Sequence, residues 1–205
     1  MLKTNPAKQN LKPEIYRKAI HLSSLWMPLF IYFAPKCWSS ALFGVLFVFN
    51  TLIEYANFRR QKWARHTFGR FFFKTLRTKE TIRGKFHPSG AVYVLCAAFL
   101  CALCFSKLIA AISMTVMLIS DSAAALIGKR FGTHKIYKQK SFEGTAAFFI
   151  SALLINFAFI PLFSFGFSAF IACLAATLAE LFEDKIKIDD NLSIPLICGA
   201  LLTFL

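Results

Sequence analysis

The chain has 205 residues, 57% of them hydrophobic, with 25 phenylalanines and a formal net charge of +14. Soluble domains carry about 45–50% apolar residues, and several stretches here approach the ~20 apolar residues that cross a bilayer, which excludes an ordinary soluble domain. Such uninterrupted runs also exclude a closed barrel, whose strands alternate polar and apolar residues.

The expectation is therefore an all-α polytopic membrane bundle, a single integral-membrane domain over 1–205 with about seven transmembrane helices. Its N-terminal segment, 1–21, is polar and basic, and no small-residue cleavage site follows the first apolar run, so a cleaved signal peptide is not expected. Within it, Glu14, Arg17 and His21 share one helical face, and Glu14 and Lys18 have the spacing of an i, i+4 pair. A juxtamembrane salt bridge accounts for this pattern as well as a functional role does. His21 opens the first span, 22–35, where an imidazole can titrate or meet a phosphate. The second span, 37–57, carries Glu54 near its end. The 58–88 connection holds ten of the lysines and arginines, and Ala64, Phe68, Phe71 and Phe72 recur there as the apolar face of an interfacial helix would. The run into the third span, 89–106, offers Arg83, Lys85, His87 and Gly90 as weaker candidates for phosphate contact. Cys101 and Cys104 have CxxC spacing, but they lie in an apolar helix without a second pair or a histidine. All six cysteines lie in or beside apolar segments, and the CxxC pair reads as small core residues.

The fourth span, 108–128, contains Asp121, eight residues before Lys129 and so about 12 Å below the following loop at 1.5 Å per residue. A charge at mid-membrane costs roughly 2.5–3.5 kcal/mol on the most lenient scale, so this carboxylate needs a reason. Asp121, Ala125, Gly128 and Gly132 fall on one face. The 129–141 loop follows with Lys129, Arg130, Lys135, Lys138 and Lys140, and then come Ser141, Glu143 and Gly144. Lysines and glycine amides suit a triphosphate, and carboxylates suit its Mg²⁺. Small-residue helix packing and a topological loop explain the glycines and lysines without a ligand; Asp121 tips the balance toward function. As a metal ligand it would tolerate replacement by asparagine without loss of stability.

The fifth and sixth spans, 142–163 and 165–183, lead to Glu180, Glu183 and Asp184. Asp189 and Asp190 then precede Asn191, Ser193 and Pro195, all suited to a helix start, and the seventh span, 192–205. The two aspartates either complement the helix N-terminus or form a second metal-binding or catalytic pair. In all, 22 of the 24 lysines and arginines fall in alternate connections, which the positive-inside rule makes cytoplasmic together with the N-terminus. The charge thus marks orientation and contact with anionic headgroups or phosphates rather than nucleic acid. The carboxylates lie on or just beneath the same surface. No Walker-type, HExxH or GxSxG stretch occurs.

Three stretches together carry a resemblance: RKAIH at 17–21, DSAAALIGKRFGTHKIYKQKSFEG at 121–144 and DDNLSIP at 189–195. They resemble the CTP-dependent lipid-alcohol kinases, which include dolichol kinases, phytol kinases and the yeast-type diacylglycerol kinases. Ser120 stands where that family usually has glycine. The resemblance implies transfer of the γ-phosphate of CTP to a lipid alcohol such as diacylglycerol, a polyprenol, phytol or farnesol. It implies Mg²⁺ held by Asp121 with Glu143 or Asp189, and Lys129, Arg130 and Lys140 neutralising the phosphoryl group. Gly128, Gly132, Ser141, Gly144, Arg17, Lys18 and His21 would complete the nucleotide site, with Asp121, Glu180 and Asp190 as candidate bases. Phosphatidate cytidylyltransferases share the central motif but add a downstream HGG and DRxD, both absent here. A small transporter or scaffold would explain the spans and charges but not the one-sided carboxylates. The expected location is a bacterial plasma membrane with the site facing the cytoplasm.

Overall fold

The computed structural model describes residues 11–59, 86–159 and 166–204. In chain order it contains α1 (Leu11–Ser23), α2 (Trp26–Phe33), α3 (Lys36–Phe58), α4 (Gly90–Cys104) and α5 (Lys107–Phe131). A short hairpin, β1 (Lys135–Tyr137) and β2 (Lys140–Ser141), leads into α6 (Phe142–Phe159), α7 (Gly166–Leu181), α8 (Glu183–Ile186) and α9 (Asp190–Phe204). The fold is all-α, as expected. The hairpin is an addition that the 129–141 loop did not announce; its turn passes through Lys138 at a φ of 48°. The interfacial helix expected from Ala64, Phe68, Phe71 and Phe72, like Arg83 and Lys85, lies outside the described residues.

Among the described residues, α3, α5 and α6 are long and apolar enough to cross a membrane, and α4, α7 and α9 are shorter apolar helices. Their outer faces are apolar as well. Val45, Val48, Phe49 and Leu52 on α3 and Ile150, Leu154 and Phe157 on α6 are all exposed, an apolar area far larger than a soluble monomer leaves uncovered. Helix α5 is the exception, because it is buried along most of its length and packs against α1, α2, α4, α6 and α9. The core around it is formed by Met114, Met117, Leu118, Phe148, Ala172 and Ile194.

The expected first span, 22–35, is not one helix. Helix α1 ends at Ser23 and α2 starts at Trp26, joined by tight i→i+3 backbone bonds such as Met27 N–H to the Ser24 carbonyl at 2.9 Å. Pro28 is the cause: it has no N–H to return to Ser24, and its ring crowds that carbonyl. With eight residues, α2 is only about 12 Å long.

Where α5 and α6 cross, two glycines bring their backbones together. A Cβ on Gly144 would lie 2.9 Å from the Ala124 carbonyl oxygen and 3.1 Å from the Cα of Gly128. Small residues are what allow membrane helices to approach so closely. The crossing holds the end of α5 against the hairpin and fixes where β2 delivers Lys140.

Candidate active site

Helix α1 packs on α5 through a stripe of polar residues, and two of them are buried: Glu14 at 7% exposure and Lys18 at 3%. Lys18 extends across the helix interface and forms an ion pair with Asp121 Oδ2, and His21 Nε2 lies 3.5 Å from the same oxygen. Glu14 is held by Arg17 on its own helix and by Lys129 of α5, whose Nζ is 2.6 Å from Glu14 Oε2. Burial would raise the Glu14 pKa, but the hydrogen bonds and charges of Lys129 and Arg17 outweigh it and hold the carboxyl below its usual range. In place of the i, i+4 pair of Glu14 and Lys18 expected from spacing, Glu14 pairs with Arg17 and Lys129, and Lys18 with Asp121. Asp121 can sit deep in the bundle because a buried cation reaches it.

Lys140, at the start of β2, forms an ion pair with Glu180 of α7, and Glu183 Oε2 lies 4.0 Å from the same nitrogen. Burial works against the charge on Lys140. Glu180, Asp190 and Glu183 more than offset it and raise its pKa, so the side chain stays protonated. The charges of the two clusters reach one another. Asp190 acts on both His21 and Lys140, and Asp121 acts on Glu180. Lys18, His21, Asp121, Lys140, Glu180 and Asp190, drawn from α1, α5, β2, α7 and α9, thus share one electrostatic field at one end of the bundle.

Several polar atoms of this end have no hydrogen-bond partner among the described residues: Glu180 Oε2, Ser120 Oγ, Thr145 Oγ1 and Ser193 Oγ are all buried. Buried polar atoms are nearly always satisfied in folded proteins, so such a set marks where a polar ligand or water would complete the structure. Glu183, Asp189 and Asp190 bring carboxylate oxygens within 4.8 Å of one another. Asp189 Oδ1 also receives the Asn191 side-chain amide at 2.6 Å and its backbone N–H at 3.1 Å, which fixes the start of α9.

The other expected site residues sit as follows. Glu143 accepts from Thr133 Oγ1 at 2.7 Å and lies 2.8 Å from His134 Nδ1, so it organises the entrance to the hairpin with partners different from those of Asp121. Gly128 and Gly144 form the helix crossing. Gly132 closes α5, its N–H donating to the Gly128 carbonyl at 3.1 Å, and a Cβ there would meet Ser141 Oγ at 2.4 Å. Ser141 Oγ accepts the Gly144 N–H at 3.2 Å. Arg130 lies over the Phe131 ring at 5.2 Å. Lys138 pairs with Asp184 at 2.9 Å, and Lys135 donates to the Gln139 carbonyl at 2.9 Å. Gly90 lies beside Asn191, whose Nδ2 would be 3.5 Å from an added Cβ.

Glu54 carries a role that spacing did not reveal. It is 5% exposed and accepts the Ser89 N–H at 2.9 Å, the Ser89 hydroxyl and the Asn50 amide at 3.3 Å. It thereby ties the end of α3 to the start of α4. A carboxylate late in an apolar helix was the available signal, but its partner lies 35 residues away.

The uncharacterised protein RP860 of Rickettsia prowazekii is 34% identical to this chain over 187 residues, covering 88% of each. The chain belongs to the same family as that protein. Two more distant relatives bear functional names. The probable chloroplastic phytol kinase of Triticum aestivum is 31% identical over 122 residues, 52% of this chain and 41% of the plant protein. The phytol kinase of Synechocystis is 33% identical over 94 residues, 42% of this chain and 40% of the cyanobacterial one. The chain therefore spans about two fifths of the length of each of these two kinases. No family model matches the chain, and neither does any solved structure.

Proposed function

We propose that this protein is a membrane kinase that transfers the γ-phosphate of CTP to a lipid alcohol. The observation that carries this reading is the cluster of Lys18, His21, Asp121, Lys140, Glu180 and Asp190 at one end of an otherwise apolar bundle, with Glu180 Oε2 buried and without a hydrogen-bond partner among the described residues. The phytol kinase relatives supply the acceptor class, and the resemblance of the 121–144 and 189–195 stretches to CTP-dependent kinases supplies the donor.

The chemistry follows from what each group can do. The hydroxyl of the alcohol donates a hydrogen bond to Glu180 Oε2, the buried carboxylate oxygen that has no hydrogen-bond partner among the described residues. As the alcohol oxygen bonds to the γ-phosphorus, the bond from that phosphorus to the bridging oxygen breaks. CDP leaves, and the hydroxyl proton passes to the Glu180 carboxylate. A loose phosphoryl transition state needs little help from a base, so positioning and charge supply most of the catalysis. Half-buried Lys140 and buried Lys18 are the cations at the cluster, and they release part of their attraction from Glu180 and Asp121 to the phosphate oxygens. Arg17 and Lys129, bridged by Glu14, extend the positive rim. Hard divalent cations favour several carboxylate oxygens, and the converging Glu183, Asp189 and Asp190 fit that requirement. Those three residues would hold Mg²⁺, which supplies charge neutralisation on the nucleotide phosphates.

The test is a panel of acceptors and donors with the purified protein in mixed micelles: a C20 isoprenoid alcohol, a polyprenol and diacylglycerol, each with CTP, ATP, GTP and UTP. The reading requires at least one lipid alcohol to be phosphorylated, with CTP the preferred donor. A preference for ATP would overturn the donor assignment, and no product with any combination would overturn the activity.

A further inference from the structure

Helix α1 is inside out by the standard of a helix in water. Glu14, Lys18 and His21 turn toward α5, where they meet Lys129 and Asp121, while Ile15, Tyr16, Ala19 and Ile20 are exposed. We propose that α1 and α2 together form one interrupted membrane span, and that the outer face of α1 is covered by acyl chains of the leaflet nearest the polar cluster. Residues 11–21, which their polarity assigned to a cytoplasmic segment, then lie within the bilayer. This inference stands apart from the kinase reading.

Depth is the first argument. Helix α3 has 23 residues and is apolar enough to cross a bilayer, so its start at Lys36 lies near one membrane surface. The chain arrives there through α2, whose Trp26 ring packs on Phe43 with 5.7 Å between centroids. Phe43 is seven residues into α3, so Trp26 sits about 10 Å along α3 from that surface. About 20 Å of a ~30 Å hydrocarbon layer is left to cross, and α1 is the helix that precedes. Its 13 residues span about 20 Å. The contacts of α1 also run the required way along α5. Lys18 and His21 meet Asp121, and Glu14 meets Lys129, about 12 Å nearer the end of α5.

The chemistry of the face is the second. No charged side chain belongs to it, and Arg17 at its edge is tied to Glu14. Ser23, exposed at the end of α1, donates its hydroxyl to the Ile20 carbonyl at 2.6 Å, so its hydrogen bond is closed within the helix as hydrocarbon requires. Tyr16 lies toward the start of α1, where an amphipathic ring suits the boundary between acyl chains and headgroups. The apolar exposure continues along the chain, through Leu29 and Phe33 of α2 to Val48 and Phe49 of α3. A surface built for a second protein has an apolar centre and a polar rim, whereas this one runs on into the sides of the bundle that face lipid.

The experiment measures the collisional accessibility of single spin labels on the full chain in phosphatidylcholine vesicles. Labels are placed at Ile15→Cys and Ile20→Cys, with the exposed Cys37 and Cys104 replaced by serine. A sample without the added cysteine sets the background from the remaining thiols. Oxygen, which concentrates among acyl chains, should relax both labels several-fold more than a water-soluble nickel chelate does, as at Val48→Cys on α3. Lys138→Cys in the hairpin should show the reverse. Ile20→Cys should also read deeper than Ile15→Cys, by about 5–7 Å for five residues of a helix that descends into the bilayer. Tyr16→Cys stands in for the first site, and Ala19→Cys for the second, if either variant does not fold. Relaxation dominated by nickel would put α1 in water and overturn the proposal. Equal depths would lay α1 flat on the membrane and overturn the span. Poor access to both reagents would mean that protein, a second copy of the chain included, covers the face, and would overturn lipid as its occupant.

Discussion

At the scale of single residues, the pairing of Asp121 with Lys18 changes what substitution should do. Removing one member of a buried ion pair strands the other, at a cost of about 3–5 kcal/mol, whereas replacing both by uncharged groups is often neutral. Asp121→Asn should therefore lower the melting temperature clearly, contrary to the expectation for a carboxylate that serves a metal alone. Lys18→Met combined with Asp121→Asn should recover most of the loss while leaving phosphoryl transfer abolished. A double variant as unstable as the single one would show that the pair is not what holds α1 to α5. Glu14 gives a pH dependence with a definite sign. Its folded pKa is depressed by Lys129 and Arg17 against the cost of burial. The stability it contributes is thus complete above the usual carboxylate range and lost as pH falls through the folded value. Melting temperature should drop less between neutral and acid pH in Glu14→Gln than in the unsubstituted protein; parallel curves would remove Glu14 from the account. The sequence placed Lys18 against Glu14 because i, i+4 spacing is a local rule, worth only about 0.2–0.5 kcal/mol. Leaving a buried carboxylate 103 residues away unpaired costs several times more, and nothing in the spacing of α1 points to it.

At the scale of elements, two joints position the site. The α5–α6 crossing leaves no room for a side chain at Gly144, where an added Cβ would come within 2.9 Å of a carbonyl. Gly144→Ala should cost about 1–3 kcal/mol, the usual range for overpacking, and should lower transfer by moving β2 and Lys140. An unchanged melting temperature would mean that the helices are free to separate there. The glycines on one face of the fourth span were legible as a packing surface, since small residues at helical spacing mean close approach whatever else they do. At the second joint, Glu54→Gln leaves the Ser89 hydroxyl and N–H with a weaker acceptor, so a destabilisation of about 1–3 kcal/mol is expected for this charge-assisted pair. Thermal unfolding of Glu54→Gln beside Ser89→Ala would show the two to be non-additive if they act through one contact. The break between α1 and α2 was legible in principle, because Pro28 is visible in the sequence. Hydropathy outvoted it, as a 14-residue apolar run does not say where its backbone bonds end.

At the scale of the whole molecule, the all-α architecture and the gathering of charge at one end were readable from composition and from the alternation of basic connections. Both reflect a bulk property, the cost of charge in hydrocarbon, which every residue reports. The central position of α5 was less visible, because an apolar helix surrounded by protein and one surrounded by lipid have the same composition. The lengths of α4 and α7 were overestimated for a related reason: an apolar run continues past the last helical residue. Orientation is checked by cysteine labelling in intact cells. Lys138→Cys should be protected from an impermeant reagent and a cysteine added at the C-terminus should react; the opposite pattern would turn the polar end outward, away from cellular nucleotide.

The central claim is that this polar end moves a γ-phosphate onto a lipid, and the position of the label in the donor tests it most directly. Purified protein in vesicles containing a lipid alcohol is given CTP labelled either at the γ- or at the α-phosphorus, and the extracted lipid is counted. The account predicts label in the lipid from γ-labelled CTP, none from α-labelled CTP, and loss of transfer in the stable Lys18→Met, Asp121→Asn double variant. Label arriving from the α-phosphorus would instead mean cytidylyl transfer, and no label from either would contradict an enzymatic role for the cluster.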